Sequence, residues 1–248
     1  MRRFFVDSAA ISGDEAMLTE TESHHLSRVL RLAKGDGVVL FDGSGAVYEG
    51  AIIEIGNRTR VKILSRHEED AGGEPFGRPL IIAQAILRGV KMDDITQRYT
   101  ELGVDTLIPI WSNRCQGSFD VVKESERQGR QQRIIAAACK QSGRARPLRL
   151  ENPKSFAGFL ADCGENEAGW RRLLFWEDEA TTGLGDVAFT GAKGVVALIG
   201  PAGGWAPEEV AMARARDFRT VRLAGHILRA ETAGLTVAAL CQFLLGNI

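Results

Sequence analysis

The sequence lacks any long uninterrupted apolar segment. No stretch contains the ~20 consecutive apolar residues that a membrane-spanning helix needs. The N-terminal segment MRRFFVD carries charge within one short strand and lacks the long apolar run of a secretion signal. These absences predict a soluble cytoplasmic protein without a membrane partner.

Cysteine and net charge are also scarce. The 4 cysteines lie far apart in the chain and form no Cys-x-x-Cys pair. This spacing argues against a zinc site and against a disulfide framework, so we expect no metal. The 31 basic and 32 acidic residues nearly cancel to a net charge of -1, so any binding of nucleic acid must depend on local basic patches.

A chain of 248 residues is long enough for one large domain or two smaller ones. Its first part has the short strands, turn signals and single helix of a small β-barrel. Strands are predicted at 3–6, 38–41, 46–55 and 60–64, and a helix at about 22–30. Residues 67–79 combine charge, glycine and proline without periodicity and predict a linker. We therefore place two domains at 1–72 and 73–248.

The second domain alternates apolar strands with helices. Strands are predicted at 80–87, 104–111, 173–176, 195–199 and 220–223, with a short edge strand at 147–150. Helices are predicted at about 93–102, 122–141 and 156–163, then after Trp205 and in the last segment of the chain. Because strands and helices alternate, we expect parallel pairing with right-handed crossovers. The pattern alone therefore predicts an α/β fold with about five or six parallel strands in a doubly wound arrangement.

Two glycine-containing loops follow the last two of these strands. GPAGG, residues 200–204, ends one strand, and a helix opens after it at Pro207. AGHILR, residues 224–229, separates the next strand from the final helix. Both loops should lie at the carboxyl ends of parallel strands, where open α/β sheets bind ligands. In the final helix, spacings of four, three and four predict a single apolar face, formed by Ala233, Val237, Leu240 and Leu244.

Several motifs resemble one known family. The first motif is GPAGG before a helix that opens in Pro-Glu-Glu, and the second is HILRAETA before the last helix. In this order they resemble the motifs of the SPOUT methyltransferases of the ribosomal RNA small subunit methyltransferase E (RsmE) family. TELGVDTLIPI and QSGRARP match further segments of that family. HHLSRVLR and KGDGVVLFDGSG resemble its PUA-like N-terminal domain, which is held to bind RNA. The resemblance extends over nearly the whole chain.

The resemblance implies a methyltransferase that uses S-adenosylmethionine and acts on N3 of a specific uridine in 16S ribosomal RNA. The substrate would be the RNA itself or the assembled small ribosomal subunit. The resemblance also implies a SPOUT-type parallel sheet with a C-terminal trefoil knot, in which the final helix is threaded through a loop, beside a small N-terminal PUA-like β-barrel. Finally, it implies a homodimer in which the partner completes each active site.

The implied cofactor gives the glycine loops a role. Methyl transfer is an in-line displacement, so the enzyme mainly has to hold nucleophile and donor in the right geometry. Glycine lets backbone N–H and C=O groups approach a cofactor without a Cβ in the way. A third loop after the strand at 173–176 would complete the site. The candidate cofactor-binding residues are Leu174, Trp176, Ile199, Gly200, Pro201, Gly203, Gly204, Leu223, Gly225, Ile227 and Leu228.

The chemistry at uridine calls for a charged group. N3 is a poor nucleophile until it loses its proton, so the site needs a base, or a positive charge beside the ring oxygens. Arg229 is the catalytic candidate for that charge because it follows the second loop and matches an arginine of the family motif. Glu231 is the second candidate, as a residue that orients Arg229; the two could instead form a salt bridge at the helix entry. His226 could titrate near neutral pH, but the family commonly has Arg there, so no base is assigned.

Local basic patches are the candidates for RNA contact. Between residues 114 and 149, nine basic residues stand against Asp120, Glu124 and Glu126. Such an excess attracts a phosphate backbone, although a solvated helix face kept soluble by arginines has the same composition. The candidate RNA-binding residues are Arg114 and Arg144 in loops, and Arg2, Arg3, Arg28 and Arg31 in the first domain.

Two residues depart from the family pattern. Ala202 stands where the family usually has Glu in GPEGG, and Ala224 stands where it usually has Gly. Without that carboxylate, a non-catalytic RNA-binding or ribosome-assembly protein on the same fold remains an alternative. A dinucleotide-dependent oxidoreductase is a weaker alternative, because no G-x-G-x-x-G follows any predicted strand. Cofactor binding separates the three functions.

Overall fold

The computed structural model describes residues 1–68, 77–116, 121–223 and 225–248, without the side chains of 121–125. The described residues form two compact units, one within Met1–Pro75 and Ala136–Pro147 and the other within Phe76–Ile135 and Leu148–Ile248. Most of the linker predicted at 67–79 lies outside the described residues. The long helix α3, Val121–Ser142, contributes residues to both units.

The first unit is built on a six-stranded sheet with the order β1-β4-β5-β6-β3-β2. Its strands are β1 Arg2–Phe5, β2 Ile11–Ser12, β3 Glu15–Met17, β4 Gly37–Phe41, β5 Ala46–Glu54 and β6 Arg60–Glu68. Helix α1, Glu20–His24, continues into a turn of π-helix at His25–Val29. The pair β1–β4 is parallel and the other pairs are antiparallel. All four predicted strands are present, whereas β2 and β3 are additions that the sequence pattern did not predict.

The second unit is a seven-stranded sheet in which every described pair is parallel. Its strands are β7 Leu80–Ala85, β8 Thr106–Trp111, β9 Arg149–Leu150, β10 Lys154–Ser155, β11 Trp170–Phe175, β12 Gly194–Ile199 and β13 Arg219–Val221. Its further helices are α2 Lys91–Glu101, α4 Phe156–Asp162, α5 Pro207–Arg214 and α6 Ala230–Leu245. The strand order is β10-β8-β7-β12-β11-β13, with β9 beside β8. The α/β architecture with a parallel sheet is therefore confirmed.

The register of three central strands brings their carboxyl ends to one level. Phe175, the last residue of β11, pairs with Ile199 at the end of β12 and with Val221 at the end of β13. The loops that follow these strands therefore start side by side at the same edge of the sheet. The sequence predicts this arrangement for the two glycine loops. The third loop, which follows β11, lies between them because β11 lies between β12 and β13.

The apolar face predicted for α6 is wrong. Leu240, which that face included, is 40% exposed. The helix instead buries Ala230, Gly234, Val237, Ala238, Cys241, Gln242 and Leu245. Because α6 carries apolar residues on nearly every side, spacing alone could not identify the side that faces the core. The close approach at Gly234 selects it, since the Tyr99 hydroxyl lies where a side chain on residue 234 would begin.

Gly234 is the position at which α6 tolerates no side chain. A Cβ there would overlap the Tyr99 hydroxyl and lie 3.0 Å from Gln84 Oε1. Tyr99 is fully buried and donates a hydrogen bond of 2.8 Å to Gln84, so neither group has room to move aside. We expect Gly234→Ala to lower the free energy of unfolding by about 1–3 kcal/mol, as overpacked cores do.

Urea unfolding of Gly234→Ala beside Gly129→Ala tests this expectation. Gly129 lies in α3, and nothing lies within 4 Å of the position that a methyl group on it would take. Its substitution should therefore stabilise the helix by about 0.5–1 kcal/mol. Equal effects of the two substitutions would show that the packing at Gly234 is not restrictive.

Candidate functional site

A cavity of about 390 Å³ lies at the carboxyl edge of the second unit's sheet. It is lined by the loops that follow β11, β12 and β13, together with the first residues of α2 and α6. Its volume falls within the roughly 300–1,000 Å³ typical of small-molecule sites. The register of the three strands is the reason that segments distant in sequence meet here.

Most of the predicted cofactor-binding residues line this cavity. They are Trp176, Ile199, Gly200, Pro201, Gly204, Leu223, Gly225, Ile227 and Leu228. The predicted catalytic residues Arg229 and Glu231 line it as well, as do Ala202 and His226. The structure thus brings together both glycine loops and the start of the final helix. The second family departure, Ala224, lies outside the described residues.

Two predicted cofactor-binding residues are not part of the lining. Leu174 is fully buried and packs in the core with residues such as Leu198 and Trp205. Leu174 lies within β11, whereas the cavity is lined by the last residue of that strand, Phe175, and by the residues that follow it. Gly203 instead contacts Arg114, whose Nη1 donates a hydrogen bond of 3.1 Å to the Gly203 carbonyl. The predicted RNA contact Arg114 is therefore attached to the first glycine loop.

The first glycine loop is shaped by two close approaches. Trp205 is buried, and its indole Nε1 donates a hydrogen bond of 2.9 Å to the Phe175 carbonyl. A Cβ on Gly200 would lie 3.1 Å from that nitrogen. Gly204 has a φ of +70°, and a Cβ there would overlap the Glu177 carboxylate. Packing against the buried indole thus favours glycine at Gly200, and the left-handed backbone conformation requires it at Gly204.

A buried carboxylate fixes the loop after β11. Glu179 Oε2 accepts a hydrogen bond of 2.5 Å from the Thr220 hydroxyl, and Oε1 accepts from the Thr181 hydroxyl at 2.8 Å and from the Thr181 and Thr182 amides. These donors, the Thr220 hydroxyl first, lower the pKa of Glu179 to about 2. The side chain is therefore charged at neutral pH and ties this loop to β13.

An ion pair joins the starts of α2 and α6. Lys91 Nζ lies 2.8 Å from Glu231 Oε1, and this contact is the main reason that the pKa of Glu231 is lowered. The salt bridge that the sequence suggested between Arg229 and Glu231 is replaced by this pair. Arg229 is exposed and precedes α6 with no side-chain bond to the helix end.

Lys91 and Arg222 are cavity residues that sequence reasoning missed. Lys91 follows the loop after β7, and β7 lies beside β12 in the sheet. Knowledge of the strand order would have pointed to it, whereas the motifs alone could not. Arg222 pairs with Gly183 through a single bridge next to β13.

The predicted RNA contacts of the first unit differ in exposure. Arg2, Arg28 and Arg31 are exposed. Arg3 is partly buried, and its guanidinium lies 5.5 Å from the centre of the Phe41 ring. Arg144 is only 8% exposed, so it does not project from its loop as the sequence suggested. It also interacts with other groups of the protein.

The sequence matches two family models. Residues 74–242 match an RNA methyltransferase domain, and residues 18–64 match an RNA methyltransferase PUA domain. The chain belongs to the RNA methyltransferase family. The methyltransferase match includes every residue that lines the cavity, and the PUA match lies within the first unit.

Relatives of this RNA methyltransferase carry the family name that the motifs suggested. Ribosomal RNA small subunit methyltransferase E of Mycobacterium bovis is 27% identical over 93% of this chain and 87% of its own length. The Synechocystis protein of the same name is 29% identical over 92% of this chain and 73% of its own length. The resemblance to the RsmE family is therefore confirmed.

Two solved structures extend the comparison. Ribosomal RNA small subunit methyltransferase E of Neisseria gonorrhoeae, bound to S-adenosylmethionine, is 28% identical with a TM-score of 0.83 and covers 98% of both chains. A Legionella pneumophila protein solved with the same cofactor is 26% identical with a TM-score of 0.86, over 97% of this chain and 96% of its own. Both neighbours thus hold the cofactor that the motifs implied.

The described part of this RNA methyltransferase offers no metal site. Within the described residues, no three or more His, Cys, Asp or Glu side chains cluster as metal ligands would. The described helices also include none with the length and apolar character to cross a membrane.

The low pKa of Glu179 has a consequence for stability. The carboxylate's hydrogen bonds stabilise the fold above the ordinary carboxyl pKa of 4.5, and this contribution is lost as the pH falls toward 2. We expect Glu179→Gln to lower the urea midpoint at pH 7, and the difference from wild type to shrink below about pH 4.5. The exposed Glu167→Gln serves as the control and should show no such difference. A Glu179→Gln deficit that stays constant down to pH 3 would contradict the assignment.

Proposed function

We propose that this protein is an S-adenosylmethionine-dependent methyltransferase that methylates N3 of a specific uridine in 16S ribosomal RNA. The observation that carries the proposal is the meeting of the GPAGG and HILRAETA loops in one cavity of a chain that belongs to the RNA methyltransferase family. The names of the relatives, which specify the small ribosomal subunit, support the substrate. An activity on ribosomal RNA also agrees with the expected cytoplasmic location.

The cavity's own residues fit the cofactor. Gly200 and Gly225 bring backbone to the cavity without a side chain, while Trp176 and Leu223 supply apolar surface. When bound, S-adenosylmethionine would supply an electrophilic methyl group. The family neighbours that hold this cofactor at TM-scores of 0.83 and 0.86 support its placement in this cavity.

Arg229 supplies positive charge at the proposed uridine site. Its side chain is exposed at the cavity and is not paired with Glu231, which Lys91 already neutralises. A guanidinium beside O2 or O4 would stabilise the negative charge that the ring gains when N3 loses its proton. Glu231 acts indirectly, since its pair with Lys91 joins α2 to the start of α6 and so fixes the segment that carries Arg229.

The final segment of the chain supports the proposed trefoil knot. The segment after β13 bonds to the loop between β11 and β12, where the Arg222 amide donates to the Thr182 carbonyl at 2.9 Å. Helix α6 then packs against β7, β12 and α2, on the far side of β11 from β13. Threading of the final helix requires that the segment before it pass beside the loop between β11 and β12 and then return across the sheet.

Exposed apolar side chains support the proposed homodimer. Leu240 and Phe243 are exposed on α6, and Met212 is exposed on α5.

RNA contact is proposed for Arg114 beside the first glycine loop and for Arg2, Arg28 and Arg31 of the first unit, which are exposed. Arg3 and Arg144 are weaker candidates because they are partly or largely buried.

A non-catalytic RNA-binding protein on the same fold is the second candidate. The observation that favours it is Ala202, which lines the cavity where the family usually has a carboxylate. Such a protein would bind RNA and transfer no methyl group.

Methyl transfer from labelled cofactor to small ribosomal subunits tests the proposal. The subunits are taken from cells that lack the corresponding activity, and the nucleosides are identified by mass spectrometry. We expect 3-methyluridine from the wild type, and a rate lowered roughly 10²–10³-fold in Arg229→Ala, because one charge that stabilises the reacting anion is lost.

Arg98→Ala removes an exposed arginine of α2 outside the cavity and is the matched control. Calorimetry should give the same cofactor affinity for all three proteins. Cofactor binding without transfer would favour the non-catalytic protein, and no cofactor binding would refute the methyltransferase proposal. A methylated nucleoside other than 3-methyluridine would refute the N3 assignment alone.

A further inference from the structure

Three carboxylates line the cavity, and two of them already have partners. They are Glu177, Glu179 and Glu231. Glu179 accepts hydrogen bonds from Thr181, Thr182 and Thr220, and Glu231 pairs with Lys91. In both cases the partners lower the pKa of the carboxyl group. A carboxylate that is stabilised in its charged form is a weak proton acceptor.

Glu177 differs from the other two carboxylates. It follows β11 after one residue, Trp176, and its side chain is exposed at the cavity. Within the described residues, no hydrogen bond or ion pair engages its oxygens. It is therefore the cavity carboxylate whose acceptor positions remain available for a bound molecule.

Glu177 lies close to the first glycine loop. Its carboxylate lies against the α-carbon of Gly204, in the space that a Cβ would fill. The neighbouring Gly203 contacts Arg114, the proposed RNA contact, through its carbonyl oxygen. Glu177 and Arg114 therefore contact Gly204 and Gly203, two consecutive glycines of the loop that contains Ala202.

We infer that Glu177 accepts the N3 proton of the target uridine and so supplies the carboxylate that Ala202 does not. This inference rests on the proposed function. The N3–H bond breaks, its proton moves to a carboxylate oxygen of Glu177, and its electron pair forms the new bond to the methyl carbon. The methyl carbon's bond to sulfur breaks with its electron pair on sulfur, which turns the sulfonium into a neutral thioether. Protonated Glu177 then releases the proton to water.

Other charged and titratable groups face the same cavity and must be separated from Glu177. They are Lys91, Glu179, Arg222, His226, Arg229 and Glu231. Among these, His226 belongs to the residue type that most often acts as a general acid or base, so its contribution must be removed. All pH profiles are therefore recorded in the His226→Gln background.

Glu177→Gln tests the inference because glutamine keeps the shape and removes the proton acceptor. We expect kcat for methyl transfer to fall about 100-fold, within the range that general bases contribute. Cofactor affinity by calorimetry and KM for the small subunit should stay within about twofold. The pH profile of kcat should change in Glu177→Gln, whose kcat should rise steadily with pH because solvent must then remove the N3 proton.

Two further variants complete the experiment. Asp178→Asn changes an exposed carboxylate next in sequence that does not line the cavity, and its kcat should equal that of wild type. Ala202→Glu placed in the Glu177→Gln protein restores a carboxylate to the cavity, now on the first glycine loop, and should recover at least tenfold in kcat.

The outcomes separate this inference from the proposed function. An active wild type with an unchanged kcat in Glu177→Gln would overturn the inference alone. The same holds if the variant loses only cofactor affinity, because Glu177 would then bind the cofactor. A wild type that binds cofactor but transfers no methyl group would overturn the proposed function and this inference with it.

Discussion

The cavity depends on the hydrogen bond between the Trp205 indole and the Phe175 carbonyl. Phe175 ends β11 and pairs in register with the ends of β12 and β13, so this bond anchors the first glycine loop to the point where three strands terminate. Trp205 is buried against Phe156, and Gly200 packs on its indole ring. A buried indole N–H without a partner would be costly, so the loop has little freedom to leave this position.

Buried carboxylates extend this anchoring on either side. Glu209 accepts hydrogen bonds from the Ala206 and Asn113 amides, which joins the start of α5 to the loop that carries Arg114. Glu179 joins the loop after β11 to β13. Because both carboxylates use their acceptor positions on the protein itself, they support the site without being available to a ligand. Glu177 and Arg229 remain available at the cavity, as a carboxylate and a guanidinium on different loops.

The sequence was sufficient for features that depend on local pattern. Continuous apolar runs such as 195–199 identify strands buried on both faces, and a glycine turn after such a run marks the carboxyl edge of the sheet. It was insufficient where the answer depends on a distant segment. The pair between Lys91 and Glu231 joins two helices far apart in the chain, and Tyr99 determines which side of α6 is buried. Strands as short as β2 carry too few residues for an alternating pattern to be visible.

Ala202, where the family usually has a carboxylate, lies two residues before Gly204, and the Glu177 carboxylate lies close to Gly204. A side chain at position 204 would displace the Glu177 carboxylate from its present place, and the left-handed φ of +70° disfavours any such residue. Gly204 therefore serves two purposes, since it allows the loop its left-handed turn and leaves room for the Glu177 side chain from the loop after β11. A carboxylate can then reach the same loop from either residue 202 or residue 177. In the proposed mechanism, a carboxylate at this place takes the proton whichever segment of the chain supplies it, so the mechanism predicts catalysis without a carboxylate at residue 202.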